Sequence, residues 1–177
     1  MKKILVLGLS LLLLVSCNSN TENRTVKIKN KYSLELPDFL SEVQNLNPEA
    51  SLQYQNPLKE FYVIVLDEPK SDFPNPDVID LEEYKNILKA NLEASLENPT
   101  FSPIRDTVIN GLKTKLFSLS DKTDGIEIYY QFAYIESKTD FYQILTWTLE
   151  NRKDKFSKDM DKIIASFTEL KSKSRAK

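Results

Sequence analysis

Histidine does not occur in this chain, and cysteine, tryptophan and glycine are scarce: one, one and three among 177 residues. Without histidine the commonest general base and the commonest metal ligand are both missing, and the usual catalytic triads cannot be assembled. So few glycines argue against glycine-rich phosphate loops and repeat folds, and no serine sits in a G-x-S-x-G elbow. A hydrolase would have to work through carboxylates or a Ser–Lys pair, and no motif supports either. No cofactor is implied. The single cysteine, Cys17, excludes an intramolecular disulfide. The formal charge is −2, and removing Lys2 and Lys3 with an export signal would take it to −4. That balance is no nucleic-acid-binding footprint.

What is present is enough apolar sequence for one ordinary domain plus a targeting segment, a length that buries a core without staples. The centre of the pattern is Gly125 to Leu149. Ile126, Ile128, Tyr130, Phe132 and Tyr134 form one period-2 set, and Phe141, Gln143, Leu145 and Trp147 a second. Tyr129, Ala133, Ile144 and Thr146 occupy the opposite faces. The polar break Glu136–Asp140 is short enough for a hairpin. A strand pair apolar on both sides belongs in the middle of a sheet that is covered on each face.

The flanking segments supply the remaining strands and the cover. Thr25–Lys29 and Tyr32–Leu36 alternate around an Asn30-Lys31 turn, with Tyr32, Leu34 and Leu36 inward and Pro37 ending the strand. Phe39–Leu46 is expected to form a helical turn under the sheet. Ala50–Gln55 and Glu60–Asp67 read as a second antiparallel pair, and the proline-bearing stretch Glu68–Val78 as a loop. Leu81, Tyr84, Ile87, Leu88, Leu92 and Leu96 keep helical spacing through Asn98, with Asp80 and Glu83 as an acidic capping box and Pro99 as the stop. Asn110-Gly111 suits a type I′ turn between Asp106–Ile109 and Leu112–Ser120, and Asp121–Gly125 reads as a turn. A second helix runs to about Ser166, capped by Asn151, with Phe156, Met160, Ile163, Ile164 and Phe167 on one face.

Candidate sites are few. Asp67, Glu68, Asp72, Asp77 and Asp80 crowd one loop, but they lack the ligand spacing and the glycine of a calcium loop; they read as an acidic surface with Asp80 serving as a cap. The aromatics Tyr129, Tyr130, Tyr134, Phe141, Tyr142 and Trp147 read as core. Tyr130 and Trp147 are the candidates for edging a ligand cleft, and a tyrosine hydroxyl there needs water or a partner. Glu127, Glu150, Lys138 and Arg152 have no partner evident in the sequence. The basic end 171–177 reads as a solvated tail, with anionic head groups as the alternative contact.

Residues 1–16 read as an export signal: Lys2-Lys3, an apolar run from Ile4 to Val15, and a small residue. The run is short for a permanent membrane span. Leu14-Val15-Ser16-Cys17 resembles the lipobox of bacterial lipoproteins. That resemblance implies cleavage between Ser16 and Cys17 and fatty acylation of Cys17. Each buried methylene contributes about 0.8 kcal/mol, so two or three acyl chains hold where one slips off. The alternative is an ordinary cleaved signal with an incidental cysteine. Residues 17–24 are then a lipidated cysteine and polar tether, and residues 25–170 the folded domain. Asn18 after the lipid site implies, by the same resemblance, an outer-membrane address.

The element order (two strand pairs, a long helix, three or four antiparallel strands and a closing helix) resembles the PsbP-like fold, and within it the DcrB-like lipoproteins. Tyr32-Ser33-Leu34-Glu35-Leu36-Pro37 and Ile163-Ile164-Ala165-Ser166-Phe167 carry the local match. The resemblance implies an α+β domain: an antiparallel sheet of six to eight strands sandwiched by two amphipathic helices. It further implies a non-enzymatic accessory or binding protein of the cell envelope with an unidentified protein partner. A small-ligand or peptide binder using a cleft lined by strand aromatics is the second expectation.

Overall fold

The computed structural model describes residues 22–28 and 30–170. In chain order these form β1 (Asn23–Ile28), β2 (Tyr32–Pro37), β3 (Ser41–Glu42), β4 (Leu52–Asn56), β5 (Phe61–Pro69), α1 (Leu81–Ser95), β6 (Thr100–Phe101), β7 (Arg105–Ile109), β8 (Leu112–Thr123), β9 (Ile126–Glu136), β10 (Asp140–Leu149), α2 (Lys153–Ala165) and β11 (Thr168–Glu169). Eight strands make one antiparallel sheet in the order β3-β4-β5-β10-β9-β8-β6, with β7 also pairing β8. The alternation of β9 and β10 puts them at its centre. Phe132, Tyr134 and Phe141 point to a cluster under α1, and Tyr129, Ala133, Ile135, Tyr142 and Ile144 to a cluster under α2.

Asn110 and Gly111 both take positive φ, 47° and 88°, and close the β7–β8 hairpin as a type I′ turn requires. Asp124 and Gly125 do the same between β8 and β9, at 50° and 82°. The turn is therefore only these two residues. Asp121 belongs to β8, is buried, and accepts the Asn98 amide at 3.0 Å. Between β9 and β10 the Ser137 hydroxyl accepts the amide of Asp140 at 3.0 Å.

The first hairpin does not join the main sheet. β1, β2 and the unforeseen β11 form a separate three-stranded sheet. Tyr32, Leu34 and Leu36 are fully buried in the same cluster as α2. β1 also opens at Asn23, ahead of the expected Thr25, and the Asp38 amide donates to the Glu22 carbonyl at 2.9 Å.

Three local expectations are corrected. Phe39–Leu46 is not helical but holds the short strand β3 and bends. The Gln53 side chain accepts the amides of Leu46 and Asn47, taking the donors that a helical turn would use. α1 stops at Ser95 rather than Asn98, because Leu96 is already extended (φ −107°, ψ 150°). Asn151 does not cap α2: residues Glu150–Arg152 form a 3-10 turn, and α2 follows from Lys153 without a side-chain cap. Asp80 does cap α1, accepting the amides of Glu82 and Glu83 at 2.9 Å.

The two faces are held differently. Under α2, Phe156 stacks on Phe61 at 5.1 Å, and Met160, Ile163, Ile164 and Phe167 are buried with it. Under α1 only Leu81 and Tyr84 are fully buried, while Leu88, Leu92 and Leu96 are partly covered and Ile87 is exposed. Tyr84 stacks on Phe141 at 4.2 Å. An ion cluster pins the start of α1 to the sheet: Lys115 reaches Glu82 at 2.6 Å and Asp106 at 2.7 Å. Hydrogen bonds from Lys115 and Lys85 lower the Glu82 carboxyl to about 2. Burial opposes the charge on Lys115, but hydrogen bonds to Asp106 and Glu82 outweigh it and raise its ionisation. Because α2 closes the denser core, Phe156→Ala should destabilise the domain by about 3–5 kcal/mol in urea unfolding; a loss below about 1 kcal/mol would contradict that packing.

Candidate binding surfaces

Each face of the sheet is longer than the helix that covers it, and the uncovered part of each is a candidate site. On the α2 side, β7, β8 and β9 extend past the helix. A groove of about 650 Å³ opens there, lined by Arg105, Thr107, Ile109, Gln131, Asp161 and Ile164 among others. That volume lies within the roughly 300–1,000 Å³ of small-ligand and peptide pockets. Its side walls are apolar, from Pro103, Ile109, Leu116 and Ile164, and Arg105 and Asp161 are exposed charges on its lining.

The polar part of this region comes from the register. Gln131 pairs across with Thr146, and Tyr129 with Thr148. All four are buried beneath or beside α2. The Gln131 amide nitrogen donates to the Tyr129 hydroxyl at 3.2 Å. Its Oε1, and the hydroxyls of Thr146 and Thr148, have no hydrogen-bond partner. Leaving such a group unsatisfied costs about 1–3 kcal/mol, so three together in one patch mark a place where packing was not the only requirement. Gln131 is the one of them that lines the groove.

The aromatic candidates lie elsewhere. Tyr130 and Trp147 are cross-strand partners with ring centroids 6.4 Å apart, on the α1 side and outside the groove. Tyr62 completes a row, stacked on Trp147 at 5.1 Å and nearly parallel at 9°. All three are half-buried; Tyr130 packs against the edge of the cluster under α1, and Tyr62 and Trp147 lie outside that cluster. Burial, and then the Asp121 carboxylate, push the Tyr130 phenol up. Burial and the hydrogen bond to Glu60 push Tyr62 up to about 12. Of the six aromatics weighed as site candidates, Tyr129 lines the groove, together with Phe117 and Phe132, and Tyr134, Phe141 and Tyr142 are fully buried.

A second, smaller pocket of about 270 Å³ surrounds the Lys115 ion cluster, whose charges are already paired. The acidic loop is dispersed among structural roles: Asp67 pairs with Lys31, Glu68 accepts Gln143 at 2.6 Å, and Asp80 caps α1. Among the described residues no three His, Cys, Asp or Glu side chains come together as a metal site. Two charges that looked isolated have partners, Glu150 with Ser120 and Lys153, and Arg152 with the Leu58 carbonyl. Ser16 and Cys17 lie outside the described residues, as does the basic end 171–177. Among the described residues no helix is long and apolar enough to cross a membrane.

No protein-family model matches the chain, and no curated protein does. Solved structures are similar to it. The cyanobacterial PsbP of Synechocystis sp. PCC 6803 aligns with a TM-score of 0.62 at 15% identity, over 88% of this chain and 98% of that one. The fold is PsbP-like. The same arrangement is found in LpqN of Mycobacterium tuberculosis, described as involved in cell envelope biogenesis (TM-score 0.60, 11% identity, 84% of this chain and 91% of that one). A Pseudomonas aeruginosa protein described as a putative regulator aligns at 0.51 with 14% identity, over 81% and 94%. Identities this low speak for the fold alone.

Within the PsbP-like domain, the two stretches behind the resemblance are neighbours. The Ser166 hydroxyl accepts the Glu35 amide at 2.8 Å, and Tyr32 stacks on Phe167 at 5.4 Å. They are structural. The groove of this PsbP-like domain was missed from sequence, although a signal existed. Gln131 interrupts the buried set Tyr129–Ala133–Ile135, and Thr146 and Thr148 interrupt the set that begins Tyr142–Ile144. Gln131→Met, which removes the unpartnered acceptor at similar volume, should leave thermal stability unchanged or raise it by about 1 kcal/mol; a loss above about 2 kcal/mol in unfolding would show the amide to be structural instead.

Proposed function

We propose that this chain is a non-catalytic binding protein of the cell envelope, held to a membrane by acylated Cys17, that receives an extended segment of a partner protein in its α2-side groove. The observation that carries the binding role is the groove of about 650 Å³, whose apolar walls carry the exposed charges Arg105 and Asp161 and whose lining includes Gln131, a residue with a buried, unpartnered oxygen. A peptide supplies what this lining can take: apolar side chains for Ile109, Leu116 and Ile164, and charge for Arg105 and Asp161. Envelope residence is supported by the lipobox-like Leu14-Val15-Ser16-Cys17 and by the fold shared with an envelope-biogenesis protein. The accessory rather than enzymatic reading is supported by the absence of histidine and by PsbP-like neighbours described without catalysis.

A photo-crosslinking amino acid at Thr107, inside the groove, should capture one defined envelope protein. The same probe at Glu93, on the exposed side of α1, should not. Ala165→Trp, which adds bulk at an exposed position on the groove lining, should reduce the Thr107 adduct at least about tenfold while leaving the melting temperature in place. Equal capture from both positions, or capture insensitive to Ala165→Trp, contradicts the groove. In the same cells Cys17→Ser should abolish acylation and membrane fractionation; unchanged mass and fractionation contradict the anchor.

A further inference from the structure

The end of the domain from which the anchor leaves also carries the most exposed apolar residue, Leu58, beside a row of half-buried aromatics. Glu22 is held beside Asp38, and the next residue, Phe39, lies against the β4–β5 turn. The Phe39 carbonyl accepts Asn56 at 2.7 Å, and Lys59 sits 5.0 Å from the Phe39 ring. Leu58, at the tip of that turn, is 92% exposed. Arg152 braces the turn by donating to the Leu58 carbonyl at 3.1 Å. Directly behind it lie Tyr62, Trp147 and Tyr130 in their half-buried row, and the β8–β9 hairpin reaches past them with Ile126, 53% exposed. At the opposite end of β5, about 20 Å away along the strand, Asp67 is paired with Lys31, and the Lys31 carbonyl accepts the Leu170 amide. That far end also carries exposed aliphatics, Val78 and Val108, but no row of half-buried, stacked aromatics lies behind them.

We infer that the Leu58 turn and the Tyr62–Trp147–Tyr130 row form a membrane-contact surface, seated in the interfacial layer of the bilayer that holds the acylated Cys17. The inference rests on the anchored reading. Four residues separate Cys17 from Glu22, five Cα–Cα steps with a reach of at most about 18 Å, so this end cannot be far from the lipid whatever path the connection takes. An aliphatic tip followed by tyrosine and tryptophan matches the depth profile of an interface, where amphipathic rings sit at head-group level. The charges around the turn are mixed, with Lys59 and Arg152 against Glu60 and Glu150, so the contact depends on apolar and aromatic insertion rather than on anionic lipid. Because the anchor makes this contact intramolecular, a weak surface suffices. In this seating the far end of the domain points away from the membrane, and the groove opens on its flank.

Trp147 is the single tryptophan of the chain and reports the contact directly. The mature acylated chain is placed in phosphatidylcholine vesicles, either plain or brominated near the carbonyl end of one acyl chain. Trp147 emission should be at least about twofold weaker in the brominated vesicles, as for a ring at head-group depth, and Leu58→Asp should restore most of it while the protein still floats with the vesicles. Flotation without quenching overturns the surface and leaves the anchor standing. Quenching that Leu58→Asp does not relieve overturns the turn as the contact. Failure to float with the vesicles removes the anchor and this inference with it.

Discussion

The structure depends on the burial of the β9–β10 pair on both faces. A strand that is apolar on one side needs one covering layer; these two strands need two. Phe132, Tyr134 and Phe141 require α1, while Ala133, Ile135, Tyr142 and Ile144 require α2 with the small sheet beside it. The rest follows as cover. β1, β2 and β11 leave the main sheet because their inward residues, Tyr32, Leu34 and Leu36, complete the layer that α2 is too narrow to fill alone. The Lys115 cluster and the Asp80 cap fix where α1 begins, and so which strands it lies over.

Neither layer spans its face, and the two gaps differ in chemistry. On the α2 side the gap is a groove with a buried amide acceptor and exposed charges. On the α1 side it is a flat, aromatic strip beside an exposed leucine. In the proposed arrangement, a peptide in one does not obstruct contact of the other with lipid, since the groove lies over β7–β9 and the aromatic row over β5, β10 and β9 on the other face of the sheet. In the proposed seating, with the domain anchored and resting on the bilayer along one edge, the groove would open sideways, toward proteins in or near the same membrane. Tilting on a short tether would be limited from two points rather than one.

The alternation of β9 and β10, the inward triplet of β2, the Asn-Gly turn and the apolar face of α2 were all legible in the sequence, because each is a local period or a turn residue with a fixed conformational demand. Asp80 as a cap was legible for the same reason. Phe39–Leu46 was not, because its donors are taken by Gln53, a residue that reaches them only once β4 is paired. Asn151 failed as a cap because the chain tightens into a 3-10 turn before α2 starts. Tyr130 and Trp147 were recognised as aromatics in want of a polar edge, but their registration with Tyr62 depends on β5 lying next to β10, which no single-strand pattern states. The groove was hidden for a related reason. Gln131, Thr146 and Thr148 each read as one polar residue in an apolar strand, and only cross-strand pairing gathers them.

Hydrogen–deuterium exchange of the mature acylated chain on vesicles, compared with the unacylated mature chain in solution, tests the central claim most directly. The account predicts slower exchange on vesicles in the turn at 57–60 and the hairpin tip at 124–128, with 105–109 along the groove unchanged. Exchange left unaltered at 57–60, or slowed instead at the opposite end around 137–140, would contradict it.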